Sequence, residues 1–184
     1  PPRSTLFPYT TLFRSTGQYW IDTLKATDNN SAVGSTEILT GVTLNSLISF
    51  NIDSSIFYGN LGAGSSNDPL DVTTTTTPTG NTGLNHEVYG PANMCTDFPT
   101  CSGSTIGIAN QRYATASSTA FSSATVLTTS AVPVTMNILK PINATPASKN
   151  LWWGIYVPTD ADAGTYYGNI TVTGIKSNAS NWYE

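Results

Sequence analysis

The two cysteines of the chain, Cys95 and Cys101, have the spacing with the clearest chemical consequence. They are the only cysteines among 184 residues, and they enclose Pro99. An even number of cysteines in a short chain favours a disulfide formed in an oxidising compartment, and closing this loop stabilises a fold by about 2 kcal/mol in the chain-entropy estimate. A structural zinc site needs four Cys or His ligands, more than the chain offers. We predict a Cys95–Cys101 disulfide, with two reduced thiols as the alternative.

His86 is the only histidine and the first residue to weigh as a catalytic base. It alternates with Leu84 and Val88, a pattern more typical of a strand histidine that is packed or surface-exposed than of a catalytic one. No serine lies in a Gly-x-Ser-x-Gly motif, and the acidic residues form no pair that spacing alone selects. We therefore predict that the chain has no catalytic residue and is not an enzyme. A nucleophile and an acid that meet His86 only in space would overturn this prediction.

Asp160 and Asp162 are the acidic residues whose spacing suits a metal ion. They stand in the sequence Asp-Ala-Asp-Ala-Gly, and calcium prefers clustered oxygen ligands around such a turn. The segment lacks the later acidic residue that completes an EF-hand loop. Asp28, followed by two asparagines, offers similar oxygens. Because Asp and Asn also favour turns that bind nothing, calcium is a hypothesis at these positions, and we expect no other cofactor.

Three aromatic residues, Trp152, Tyr156 and Tyr167, form a candidate ligand platform. Alternation over residues 151–157 places Trp152 and Tyr156 on the outer face of one strand, and Tyr167 on the outer face of a later strand. If the two strands are neighbours, the rings form a flat exposed surface that can stack on sugars or on a protein partner. The alternative, which we favour, is that both faces of the strand at 151–157 are buried.

The composition sets limits on the class of protein. Charged residues make up 10% of the chain, hydrophobic residues make up 39%, and the net charge is −4. This apolar content can form a core, which excludes a disordered acidic tail. Seven lysines and arginines are too few for a general nucleic-acid-binding surface. No apolar run reaches the roughly 18 residues of a transmembrane helix, so we expect no membrane span.

Short runs of alternating hydrophobicity recur along the chain, separated by Gly, Pro, Asn and Asp. Such alternation predicts antiparallel sheets with one face in a core and the other in water. A run of threonines at 73–77 also has the β-branched composition of a strand. No segment has a convincing helical period. We predict an all-β fold, a sandwich or a barrel, whose clearest strands cover residues 47–53, 132–138, 151–157 and 166–173.

Three segments resemble immunoglobulin-like modules. Gly17–Asn30 and residues 164–174 each join a Gly-x-Tyr or Gly-x-Tyr-Tyr turn to an alternating run, similar to the closing strand of immunoglobulin-like or PKD-like domains. Phe57–Gly64 resembles the Phe-x-Gly-x-Leu-x-x-Gly turn of immunoglobulin-like repeats in prokaryotic envelope proteins. In that turn Gly59, Gly62 and Gly64 permit the positive φ that other residues resist.

The resemblance implies tandem, antiparallel immunoglobulin-like β-sandwich modules. Residues 16–36 would hold the closing strand of an upstream module and a linker. Residues 37–176 would form one sandwich module, and residues 177–184 would begin a downstream linker.

The start of the chain has a different origin in our interpretation. Residues 5–15, TLFPYTTLFRS, match the translation of a standard short-read sequencing adapter at every position. The match implies that residues 1–15 are an adapter-derived artefact at the end of a metagenomic fragment, and we exclude them from fold reasoning. Leaving out Arg3 and Arg14 takes the net charge from −4 to −6.

Together these expectations describe a structural or adhesive module of a secreted or cell-surface prokaryotic protein. Its partners would be neighbouring modules of the same polypeptide, or an envelope protein or glycan, and not nucleic acid. The alternative is a carbohydrate-binding module that uses Trp152, Tyr156 and Tyr167. Solvent exposure separates the two, because exposed coplanar rings favour sugar binding and buried rings favour a spacer.

Overall fold

The computed structural model describes residues 21–27, 31, 33–39 and 45–178. The chain divides into two compact units, Pro1–Asn45 and Ser46–Glu184. In the first unit, strands β1 (Ile21–Thr27) and β2 (Val33–Leu39) pair in an antiparallel hairpin. β1 lies within the predicted closing strand at 17–30, whose two ends lie outside the described residues, as do residues 1–15. β2 occupies part of the segment interpreted as a linker, and the assignment of this unit to an upstream module stays a prediction.

The described part of the second unit, residues 46–178, contains ten strands in three antiparallel arrangements. A five-stranded sheet has the order β3-β4-β11-β8-β9, a three-stranded sheet has the order β10-β5-β12, and β6 pairs with β7. Two 3₁₀ turns, Ile108–Asn110 and Phe121–Ser123, are the only helical elements among the described residues, so the all-β antiparallel prediction is confirmed. The strands are β3 (Phe50–Ile52), β4 (Val72–Pro78), β5 (Leu84–Tyr89), β6 (Met94–Cys95), β7 (Thr105–Ile106), β8 (Gln111–Ala114), β9 (Thr125–Val126), β10 (Val132–Ile138), β11 (Lys149–Ile155) and β12 (Thr171–Lys176).

The two larger sheets share one apolar core. Its fully buried members include Leu84 and Val88 from β5 and Leu151 and Trp153 from β11, and these strands belong to different sheets. Alternation along the strands produces this arrangement, since successive side chains point to opposite faces. In β10, for example, every second residue from Val134 is buried and the residues between them are exposed.

Hydroxyl groups enter the same core from β4. Thr74 and Thr76 are buried on the inner face of the strand. The indole Nε1 of Trp153 donates to Thr74 Oγ1 at 2.9 Å, and Thr76 Oγ1 lies 3.0 Å from His86 Nε2. The second contact joins the two sheets directly, because β4 and β5 lie in different sheets. The threonine run therefore forms a strand, as predicted.

The glycine-rich turn supports the end of β11. Gly59 and Gly64 have φ of +75° and +78°, as their sequence context predicts, whereas Gly62 is not among the residues with positive φ. The Gly64 N–H donates to the carbonyl of Val157 at 2.8 Å, and the Val157 N–H donates to Ser65 at 2.8 Å. These reciprocal bonds attach the turn to the chain that leaves the strand.

The last strand begins later than its alternation predicts. We expected a strand over 166–173, but β12 begins at Thr171. The reason lies at Tyr167, whose N–H donates to the carbonyl of Cys95 at 2.9 Å and whose carbonyl accepts from the Cys95 N–H at 2.8 Å. Because the backbone of Tyr167 is hydrogen-bonded to Cys95, the pairing of β12 with β5 starts only at Thr171, which lies opposite Tyr89.

Truncating Leu151 to alanine should lower the free energy of unfolding by about 2–5 kcal/mol, because a cavity replaces a fully buried side chain at the centre of the core. Leu47 is a matched control, since it is the same residue type with 59% of its surface exposed, and its truncation should change stability by less than about 0.5 kcal/mol. Urea unfolding of both variants measures the difference. Equal losses at the two positions would contradict the shared core described here.

Candidate functional site

The cysteines form the predicted disulfide. Cys95, in β6, is fully buried, and its Cα lies 5.2 Å from that of Cys101. The enclosed loop is also held by Asp97, whose carboxylate accepts the backbone N–H groups of Ser102 at 2.9 Å and Gly103 at 3.0 Å. These hydrogen bonds favour the charged carboxylate and lower the pKa of Asp97. The loop is therefore closed covalently, and Asp97 inside it bonds the two residues that follow Cys101.

His86 lies in the core, on the same buried face of β5 as Leu84 and Val88. It is 0% exposed, it contacts the Thr76 hydroxyl, and its ring centroid lies 5.0 Å from that of Phe50. Burial lowers the pKa of His86 to about 4, and a hydrogen bond with the backbone of Thr173 acts in the opposite direction. At neutral pH the imidazole is uncharged and packed. The alternation with Leu84 and Val88 left a packed and a surface-exposed ring open, and the structure shows the packed one. The absence of catalysis stays a prediction.

Asp160 and Asp162 are both exposed, close to the turn in which the Ala161 N–H donates to the carbonyl of Pro158. The Ser104 hydroxyl donates to the carboxylate of Asp162, which ties this carboxylate to the chain just after the disulfide loop. Among the residues that the structure describes, no group of three or more His, Cys, Asp or Glu side chains is placed to hold a metal ion. Calcium at these aspartates stays a hypothesis, and Asp28 lies outside the described residues.

The three aromatic residues of the predicted platform lie in different surroundings. Trp152 is half-buried on β11, and Tyr156 is half-buried just beyond that strand, where it bridges to Ser66. Tyr167 is 58% exposed and bridges to Cys95. The platform required neighbouring strands, but β11 and β12 belong to different sheets. Strand pairing therefore does not bring Tyr167 beside Trp152.

A groove that sequence reasoning missed lies beside Trp152. It has a volume of about 450 Å³ and receives side chains from β10, from β11 and from Thr115, which follows β8. β10 and β11 lie in different sheets, so no single run of sequence indicates that they form one site. The signal in the sequence is the concentration of polar residues around the tryptophan, which are Thr135, Asn137, Ser148, Lys149 and Asn150.

In the part of the chain covered by the structure, no helix has the length and apolar character needed to cross a membrane.

The disulfide predicts a specific labelling pattern. In denaturant without reductant, a thiol-reactive label should modify neither cysteine, and after reduction it should modify both. The Cys101→Ser variant should take up one label without reductant, which controls for access of the reagent to Cys95. Intact-mass spectrometry counts the labels. Labelling of the unreduced natural chain would contradict the disulfide and the oxidising compartment inferred from it.

Burial of His86 predicts a loss of stability in mild acid. Between pH 6.5, the ordinary pKa of a histidine, and about 4, the unfolded chain binds a proton at residue 86 that the folded chain does not bind. The free energy of unfolding should therefore fall as the pH falls, by about 3 kcal/mol across this window from His86 alone. The His86→Gln variant keeps a polar group for Thr76 but does not titrate. Urea unfolding from pH 7 to pH 4 should show a shallower decline for this variant, and identical pH dependences would contradict the burial of an uncharged ring.

No protein-family model, curated protein or solved structure matches this chain. The candidate function therefore depends on the chain's own residues, namely the disulfide loop, the buried histidine and the groove beside Trp152.

Proposed function

We propose that this chain is a structural or adhesive module of a secreted or cell-surface prokaryotic protein, built as an immunoglobulin-like β-sandwich and acting without catalysis. Its partners are neighbouring modules of the same polypeptide, or a protein or glycan of the cell envelope. The observation that carries the proposal is the disulfide-closed loop, which is bonded through its backbone to the segment that leads into the last strand.

The disulfide supports a location outside the cell. Disulfides form and persist in oxidising environments and are rare where cellular reductants keep thiols reduced. Cys95 is fully buried, and reciprocal backbone hydrogen bonds attach it to Tyr167. The bridge is thus an integrated part of the fold, which suits a protein that remains in such an environment.

The strand order supports a mechanical role. The first strand of the second unit, β3, belongs to the five-stranded sheet, and the last strand, β12, belongs to the three-stranded sheet. A pull on the two ends of this unit loads strands from both sheets, so the shared core resists their separation. β12 also pairs with β5 over its whole length, from Thr171 opposite Tyr89 to Lys176 opposite Leu84, and several of these hydrogen bonds must break before the strand detaches.

The composition of the surface supports the same proposal. The chain has 20 serines and 30 threonines but only seven lysines and arginines. Hydroxyl groups keep such a surface hydrated with little charge, and β-branched threonine favours strands. In β10, for example, Thr135 is a strand residue that exposes its hydroxyl to water while its two neighbours are buried.

Stretching single molecules in optical tweezers tests the spacer role. The full chain, held at its two ends, should unfold in a discrete rupture event. Reduction should lengthen the unfolded chain by about 1.6 nm, because six residues at about 0.36 nm each replace the 5.2 Å now spanned between the Cα atoms of Cys95 and Cys101.

The double variant Cys95→Ser, Cys101→Ser is the control, and its length should not depend on reductant. Gradual extension of the oxidised natural chain without a rupture event would contradict a load-bearing module. If the gain in length at rupture were the same with and without reductant, the disulfide would not shorten the part of the chain that is stretched.

A further inference from the structure

The groove beside Trp152 has the chemistry of a ligand site. It lies where β10, the edge strand of one sheet, approaches the beginning of β11 in the other. Small-molecule pockets are usually lined mainly by apolar and aromatic side chains with a few polar groups. This groove is lined mainly by polar groups around one indole. Such a lining fits a ligand with many hydroxyl groups, because each hydroxyl that leaves water needs a new hydrogen-bond partner.

A β-bulge forms the β10 side of the groove. The pairing of β10 with β5 shifts register between Val134 and Ile138, and Asn137 in this interval has φ of +49°. The Asn137 N–H donates to the Asn85 side chain at 2.7 Å, which holds the bulge in place. Bulges redirect side chains and are frequent beside binding and active sites. Here the bulge includes Thr135, Met136 and Asn137, which are the residues of β10 that line the groove.

Trp152 supplies the apolar surface of the groove. Its partners across the sheet are Thr73 in β4 and Ala114 in β8, so neither neighbouring strand places a large side chain beside the ring on this face. The indole is half-buried and held on a central strand. An aromatic ring with polar groups around it can stack on the C–H face of a sugar ring while those groups bond the sugar hydroxyls.

The charges around the groove select the class of sugar. Lys149 is the one charged residue among those that line it, and its Nζ donates to the carbonyl of Met136 at 2.9 Å. This bond uses one of the three N–H donors of the ammonium group, and the remaining polar lining consists of neutral amides and hydroxyls. These groups both donate and accept hydrogen bonds, as the hydroxyls of a neutral sugar require, and the net charge of −4 on the chain disfavours an acidic sugar.

We infer that the Trp152 groove binds a neutral saccharide, with the sugar ring stacked on the indole and its hydroxyls bonded by side chains of β10 and β11. This activity goes beyond the spacer role and does not depend on it. It also differs from the three-ring platform, since it uses Trp152 without Tyr167.

A glycan array carrying neutral and acidic glycans, probed with the full chain, tests the inference. The affinity of the best neutral glycan is then measured by calorimetry for the natural chain and for variants. Trp152→Ala should weaken binding at least tenfold, and Tyr167→Ala should leave it unchanged. The inference would be overturned if no neutral glycan bound the chain, or if only acidic glycans bound it. It would also be overturned if Tyr167→Ala abolished binding while Trp152→Ala left the affinity unchanged.

A second variant keeps the test decisive if loss of the half-buried indole perturbs the fold. Thr135 is exposed and borders the groove, so Thr135→Arg should fill the groove without entering the core and should weaken neutral-glycan binding at least tenfold. Thr173→Arg is the matched control, since Thr173 is an exposed threonine on β12 and does not line the groove. Thermal unfolding confirms that both variants are folded. Equal affinities of the two arginine variants would place any glycan binding elsewhere and overturn the inference.

Discussion

Two threonine hydroxyls on the inner face of β4 bond the polar rings of the core. Thr74 accepts the indole N–H of Trp153 within one sheet, and Thr76 bonds the imidazole of His86 in the other sheet. Burying Trp153 Nε1 or His86 Nε2 without a partner would cost about 1–3 kcal/mol, so both contacts favour the observed position of β4. Threonine suits this position because it combines the β-branched shape that strands favour with a group that donates and accepts. Apolar contacts supply most of the core, and the Thr76–His86 hydrogen bond joins its two sheets directly.

The disulfide loop holds the segment that precedes β12, and this segment belongs to neither of the two larger sheets. Cys95 is buried, and its backbone bonds Tyr167 in both directions. The carboxylate of Asp97 accepts the N–H groups of Ser102 and Gly103, the two residues that follow the loop. These contacts hold the approach to β12, and they explain why an alternating sequence there does not pair as a strand until Thr171. A covalent bridge, a carboxylate and two backbone bonds together make this loop a stiff element, which accords with the proposed mechanical role.

β11 connects the core with the groove. Its neighbours are β4 and β8, so its backbone is paired on both sides. Trp153 points into the core and is fully buried, while Trp152 borders the groove on the opposite face. Adjacent tryptophans thus have separate roles because successive residues of a strand face opposite sides. A ring on a strand held in this way has little freedom to lose, and pre-positioning reduces the conformational entropy that the side chain loses when a ligand binds.

The sequence alone determined the class of the fold, the strand at 132–138, most of the strand at 151–157, and the disulfide. These features follow from alternation and spacing, which act over a few residues. Tertiary structure decided which sheet each strand joins, and therefore that Tyr167 pairs with Cys95 and that β10 and β11 form a groove. It also decided that His86 is fully buried. The physical reason is that alternation assigns each side chain to one of two faces but says nothing about the strand across from it. That choice is made by contacts between residues distant in sequence, such as Thr74 with Trp153, which exist only after β4 and β11 have paired.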